Sequence, residues 1–145
     1  MDSTDVFAAL YRDAVLDHGR APRHVGALAL PARSASASNA LCGDRVAVDV
    51  VLDDAGAVVD LRHRTEGCLI CTASASLMAG EAIGRDAGGL AQLQAALRRG
   101  IESGDGGGLG ELAPLTGVAA HATRHRCALL PWEALQTAMC AQVPA

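Results

Sequence analysis

Three cysteines and one aspartate stand where side chains can do chemistry. Cys42-Gly43-Asp44, Cys68 and Cys127 each fall in a loop or at the predicted start of a helix. A thiolate at a helix N-terminus is stabilised by unpaired backbone N–H groups and the helix dipole, and the thiolate is the form that binds metal and attacks sulfur. The sequence places Cys68 and Cys127 at such positions. Three thiolates and a carboxylate make a four-coordinate set that Zn²⁺ accepts in tetrahedral geometry, and the same donors can hold an iron-sulfur cluster. A carboxylate is a harder, more exchangeable ligand than a thiolate, which suits a site that opens. From spacing alone the opposite reading stands beside this one, because cysteines are commonly buried and inert.

The remaining candidates carry weaker signals. Cys68-Leu69-Ile70-Cys71 is a CxxC without a second CxxC to complete a zinc ribbon. Cys71, one helical turn from Cys68, reads as a packed residue or a spare thiol. Cys140 lies late in the last predicted helix and reads as a core or interface thiol. The five histidines show no HExxH spacing. His125 stays open as a ligand because it lies two residues before Cys127. All twelve basic residues are arginine. Arg124 and Arg126 flank Cys127 and Arg45 follows Asp44, so Arg124 is a candidate for docking a partner or activating a thiol.

Positioning these groups falls to a small number of elements. Thr4–His18 carries Phe7, Leu10, Tyr11, Ala14 and Val15 at helical spacing, with Ser3 or Thr4 as N-cap. Gly19, Pro22 and Gly26 break that helix, and the Ala, Ser and Pro-rich stretch to Asn39 reads as an extended connection. RVAVDVVL and AVVDLRHR alternate around a DDAG turn, which predicts a β-hairpin over residues 45–64. Antiparallel pairing would bring Cys42 and Cys68 to the same end of that hairpin. A small-residue helix follows Gly67, another runs from about Gly89, and a glycine-rich loop spans residues 104–110. A short helix is expected in ELAPLTGVAAH. The last helix is expected to start next to Cys127, with Pro131 in its first turn, where a missing N–H costs nothing.

Bulk properties bound the function. A chain of 145 residues fits one domain, here residues 1–145, with a single core. Half of it is hydrophobic but only 2% is aromatic, so that core is aliphatic and favours close helix packing. A net charge of -4 gives no broad positive field for nucleic acid or an anionic membrane. The apolar run between Glu66 and Glu81 suits a buried helix rather than a membrane span. Asp2 and Asp5 occupy the place of a basic signal-peptide region, and five cysteines without a secretory signal point to a reducing, cytoplasmic setting.

Four segments, LYRDAVLDHGRAPRHVG, NALCGDRV, EGCLICTASASLM and RHRCALLPWEAL, together resemble in order the signature segments of the SufU/IscU/NifU N-terminal family of iron-sulfur cluster assembly scaffolds. The resemblance covers nearly the whole chain. It is nearest the SufU branch, through the long stretch between Cys68 and Cys127 and through Arg126, where the IscU branch has a histidine. It implies an α+β fold with a small antiparallel sheet of about three strands and helices on one face.

It also implies a function. SufU-type proteins hold zinc through residues matching Cys42, Asp44, Cys68 and Cys127, and accept persulfide sulfur from a SufS-type cysteine desulfurase. The implied activity is sulfurtransferase-like. The implied mechanism has the desulfurase supply a zinc ligand in place of Cys42, freeing that thiolate as the sulfur acceptor, while zinc keeps it deprotonated and guarded. IscU-type proteins instead assemble a [2Fe-2S] cluster on equivalent ligands, and a structural zinc domain without transfer is a third reading. Two departures stand out: His24 replaces an expected asparagine, and Cys71 replaces a serine or other non-ligand. Cys71 leaves open a four-cysteine site made with Cys42, Cys68 and Cys127.

Overall fold

The computed structural model describes residues 3–29 and 31–141, with side chains from residue 9 onward. The expected caps at Ser3 and Thr4, the Phe7 side chain and the two N-terminal aspartates lie outside the described side chains.

Helix α1 (Ser3–Arg20) precedes three strands, β1 (Arg33–Asn39), β2 (Asp44–Leu52) and β3 (Val58–Glu66). They form an antiparallel sheet in the order β1-β2-β3. The hairpin expected over residues 45–64 is β2 and β3, with Val48 opposite His63 and Arg45 opposite Glu66. The expected connection before Asn39 is instead partly a strand. β1 reads RSASASN, with Ala35 and Ala37 half-buried between exposed Ser34, Ser36 and Ser38. That period-2 pattern is a strand signal carried by residues too small to look like one.

One face of the sheet is apolar, through Val46, Val48, Val50, Val58 and Leu61, all at most 1% exposed. Helices α2 (Leu69–Ala82) and α4 (Ala122–Cys140) pack on it. α1 lies on α2, while α3 (Ala87–Ser103) and a 3₁₀ helix, η1 (Gly110–Val118), fill the outer layer. Every residue from Ala73 to Ala79 in α2 is buried. Its alanines and serines let α1, α4 and the sheet approach it closely. The opposite face of the sheet is polar. There Asp49 accepts hydrogen bonds from Ser34 Oγ (2.7 Å), Leu28 N–H (3.0 Å) and the Arg64 guanidinium (3.1 Å). Burial works to raise the Asp49 pKa, but these donors and the Arg64 charge outweigh it and hold the carboxyl below its ordinary value.

Helix α4 starts six residues earlier than expected, after His121 rather than Cys127, which makes Cys127 an interior helical residue and puts Pro131 in mid-helix. Proline has no N–H, so the Cys127 carbonyl has no helical donor. Nearby polar groups tie this stretch down. Ser74 Oγ–H donates to the Ala128 carbonyl, and Trp132 Nε1–H donates to Ser74 Oγ (3.2 Å), all within the core between α2 and α4.

Segment 22–26 closes on β3. His63 N–H donates to the His24 carbonyl and Gly26 N–H to the His63 carbonyl, both at 3.0 Å. His24 adopts a left-handed backbone, φ 63°. Asparagine and histidine both enter that region more readily than most residues, so histidine can take the backbone conformation at the position where the family resemblance leads one to expect asparagine.

Candidate metal centre

The turn between β1 and β2 is built on Asn39. Its backbone carbonyl accepts from Gly43 N–H (2.8 Å) and Cys42 N–H (3.3 Å), and its Oδ1 accepts from Leu41 N–H (3.1 Å). Gly43 has φ +76°, and open space surrounds the point where a Cβ would sit, so backbone freedom is what the turn requires there. The turn leaves Cys42 exposed and sends the next side chain, Asp44, inward to 3% exposure.

Antiparallel pairing of β2 with β3 brings Gly67 and Cys68 beside Asp44. Cys68 N–H donates to Asp44 Oδ1 (3.1 Å). Cys68 is also the N-cap of α2, and its Sγ accepts from Cys71 N–H at 3.5 Å. Its expected place at a helix start therefore holds. Cys127 differs. It is 3% exposed in the second turn of α4, and its thiol pKa is pushed up to about 12, first by burial and then by the neighbouring Cys68 and Asp44 side chains. The helix-terminus effect expected for Cys127 is absent because the helix begins earlier.

The Cys42 and Cys127 sulfurs and an Asp44 carboxylate oxygen all lie within 4.8 Å of one another. In tetrahedral zinc with Zn–S of about 2.3 Å, donor atoms sit ~3.8 Å apart. The cluster is thus at most about 1 Å more open than a zinc site and needs only a small closure. Cys68 Sγ is outside this mutual group but neighbours Cys127 closely enough to raise its pKa. Asp44 Oδ2 is buried with no hydrogen-bond partner among the described residues. Burying even a neutral polar group without a partner costs on the order of 2–7 kcal/mol, and a charged oxygen costs more. A cation bound there would supply what the protein leaves out. The donor set and the orphaned oxygen both fit zinc.

The other candidates separate cleanly. Cys71 is fully buried, and its thiol pKa is raised, mainly by burial and then by the surrounding Asp44 and thiols. His125 Nε2 turns away to the Ala119 carbonyl (2.9 Å), so it caps local backbone instead of joining the cluster. Cys140 is exposed rather than a core thiol, at the far end of α4. Arg126 reaches toward Glu133 (3.8 Å) at the surface. Exposed Arg124 lines a groove of about 800 Å³ beside Cys68, walled by Tyr11, Leu69, Ile70 and Val118. Sequence reasoning missed Leu41, which is 97% exposed next to Cys42. A large apolar residue in a polar turn was the signal available. It also passed over Asn39, whose Asx-turn chemistry was readable from an asparagine three residues before the cysteine.

Residues 10–103 match the NifU-like N-terminal domain family. The chain is 35% identical over 130 residues to the zinc-dependent sulfurtransferase SufU of Bacillus subtilis, covering 88% of this chain and 87% of that one. It is 34% identical over 133 residues to the iron-sulfur cluster assembly scaffold protein IscU of Streptococcus pyogenes, covering 90% and 82%. Among solved structures, a nitrogen-fixing NifU-like protein (N-terminal) from Brucella abortus superposes with TM-score 0.80 at 28% identity, over 90% of this chain and 92% of that one. The chain belongs to the NifU-like N-terminal domain family, a family of iron-sulfur cluster assembly proteins. Its fold is the α+β arrangement expected, with a three-stranded antiparallel sheet and helices on one face.

Proposed function

We propose that this protein is a zinc-bound sulfur acceptor in iron-sulfur cluster assembly, taking persulfide sulfur from a SufS-type cysteine desulfurase onto Cys42. The observation that carries the reading is the asymmetry of the site. Cys42 is exposed on a turn, while Asp44 and Cys127 are each 3% exposed and Cys68 is held at the start of α2. A site built to be permanently closed has no reason to put one ligand in solvent.

Zinc, when bound, favours the deprotonated form of each thiol that ligates it. Cys42, Asp44, Cys68 and Cys127 would hold it. Cys68 N–H fixes Asp44 Oδ1 and leaves Oδ2 without a partner, so the carboxylate would be oriented through Oδ1 and have Oδ2 free for a metal. Cys42, released from the set, attacks the outer sulfur of the donor persulfide; the sulfur–sulfur bond of the donor breaks and its cysteine leaves as thiolate. Leu41 supplies an apolar contact beside the acceptor, and Arg124 offers a cation to an acidic group on the donor protein.

Similarity to the zinc-dependent sulfurtransferase of Bacillus subtilis favours zinc over a resident cluster. Purified aerobically, the protein is expected to carry one zinc and no visible absorption. It should stimulate a cysteine desulfurase and gain a persulfide on Cys42, and Cys42→Ala should abolish both. Equal stimulation by Cys42→Ala overturns the acceptor role, and a brown, cluster-bearing protein favours the scaffold alternative.

A further inference from the structure

Sulfur acceptance on Cys42 leaves one feature unused, the second thiol of the CxxC. Cys68 is the N-cap of α2 and Cys71 the third helical residue, with Cys71 N–H donating to Cys68 Sγ. Side chains at N-cap and N3 face one another, which is the basis of the capping box. Helical geometry puts their Cα atoms about 5 Å apart, inside the 4.4–6.8 Å window of a disulfide. Cys68 opens on the groove beside Arg124, whereas Cys71 is fully buried beneath it. One thiol is accessible and the other waits behind it.

We propose that Cys68 and Cys71 are a redox pair: in the metal-free chain a hydroperoxide joins them in a disulfide, which removes Cys68 from the ligand set and closes the site to metal until a thiol reductant reopens it. The Cys68 thiolate attacks one peroxide oxygen; the O–O bond breaks, hydroxide leaves, and Cys68 becomes a sulfenic acid. Cys71 then attacks that sulfur, the S–O bond breaks, and its proton leaves with the hydroxyl as water. Overall two thiols and one hydrogen peroxide give one disulfide and two waters. Cys127 is the rival for Cys68, but it sits on α4. Its side chain neighbours Cys68, so it competes for the same sulfur; the Cys71 bond differs in closing within one helical turn.

The block on metal rests on Cys68 being a ligand, as proposed above; the pairing itself does not. The test uses the full chain stripped with chelator, exposed to hydrogen peroxide, alkylated and digested with trypsin. The peptide between Arg64 and Arg85 contains both cysteines of the pair and lacks Cys127. It is expected to lose two hydrogens and take no alkyl label. Zinc binding by the oxidised chain should weaken at least about tenfold and return with dithiothreitol. Cys71→Ser should bind zinc normally when reduced, but its Cys68 should pass under peroxide to the sulfinic acid, which dithiothreitol does not reverse.

An unlinked peptide, or Cys68 joined to the peptide carrying Cys127, overturns the pairing. So does loss of zinc from reduced Cys71→Ser, which would make Cys71 a ligand. Pairing in a chain that never binds zinc leaves the pair standing and defeats the zinc reading. Undiminished zinc binding by the linked chain defeats the block.

Discussion

Gly67 lies so close to Asp44 that a Cβ on it would stand 2.8 Å from Oδ1 and 2.9 Å from Cγ of the carboxylate. No side chain fits there without moving the Asp44 carboxylate. Gly67→Ala is therefore expected to reduce zinc retention at least about tenfold. Metal analysis after gel filtration checks it, and a variant that keeps its zinc would show that Asp44 has room to yield.

Asp44 itself predicts a crossover. Without metal, its buried Oδ2 has no partner, so Asp44→Asn should leave the stripped protein as stable or stabilise it by about 1–2 kcal/mol. With zinc present the same variant should be the less stable one. Thermal unfolding with chelator and with zinc measures both arms, and parallel behaviour in the two would remove Asp44 from the site.

Ser74 carries the hydrogen bonds between α2 and α4, donating to the Ala128 carbonyl and accepting from Trp132 Nε1–H. Ser74→Ala leaves the buried Trp132 indole N–H without its acceptor and takes one donor from the Ala128 carbonyl, and should cost about 1–3 kcal/mol. Urea unfolding of the metal-free protein gives the value.

Acid should weaken the fold in two stages. Burial first, opposed by a hydrogen bond to the Arg23 carbonyl, holds His63 below its ordinary 6.5. Nε2 donates to Arg23 O (2.8 Å), so Nδ1 accepts from Thr65 (3.0 Å) in the neutral ring. Below about pH 6.5 the unfolded chain gains a proton that the native chain refuses, so stability falls until the native His63 pKa is passed. The Asp49 contribution is complete above its unfolded value of 3.8 and is lost as pH drops through the lower native one. Denaturant midpoints across pH should show both steps, and Asp49→Asn should flatten only the more acidic one.

How far the chain could be read without coordinates depended on the kind of signal. The β2–β3 hairpin was legible because valines alternate with polar residues on both strands. β1 was not, since its inward residues are Ala35 and Ala37, whose burial contributes little pattern. α4 was placed too late because Pro131 was assigned to a first turn. The core contacts of Ala128, Leu130 and Trp132 carry the helix through the proline despite the missing bond. Segment order brought the four candidate ligands to one end, but not the depth at which each lies. Depth is a property of packing, so the contrast between exposed Cys42 and buried Cys127 had no sequence signature.

The tether of Cys42 has a consequence for delivery. Three bonds on the Asn39 residue pin the base of the turn, and three residues of fully extended chain reach about 10 Å. In the acceptor role proposed for it, such an arm is a short crane: it would turn a sulfur from one neighbour to the next but could not ferry it across a gap. Donor and recipient must each come to the rim, and with one arm to serve them they must take turns.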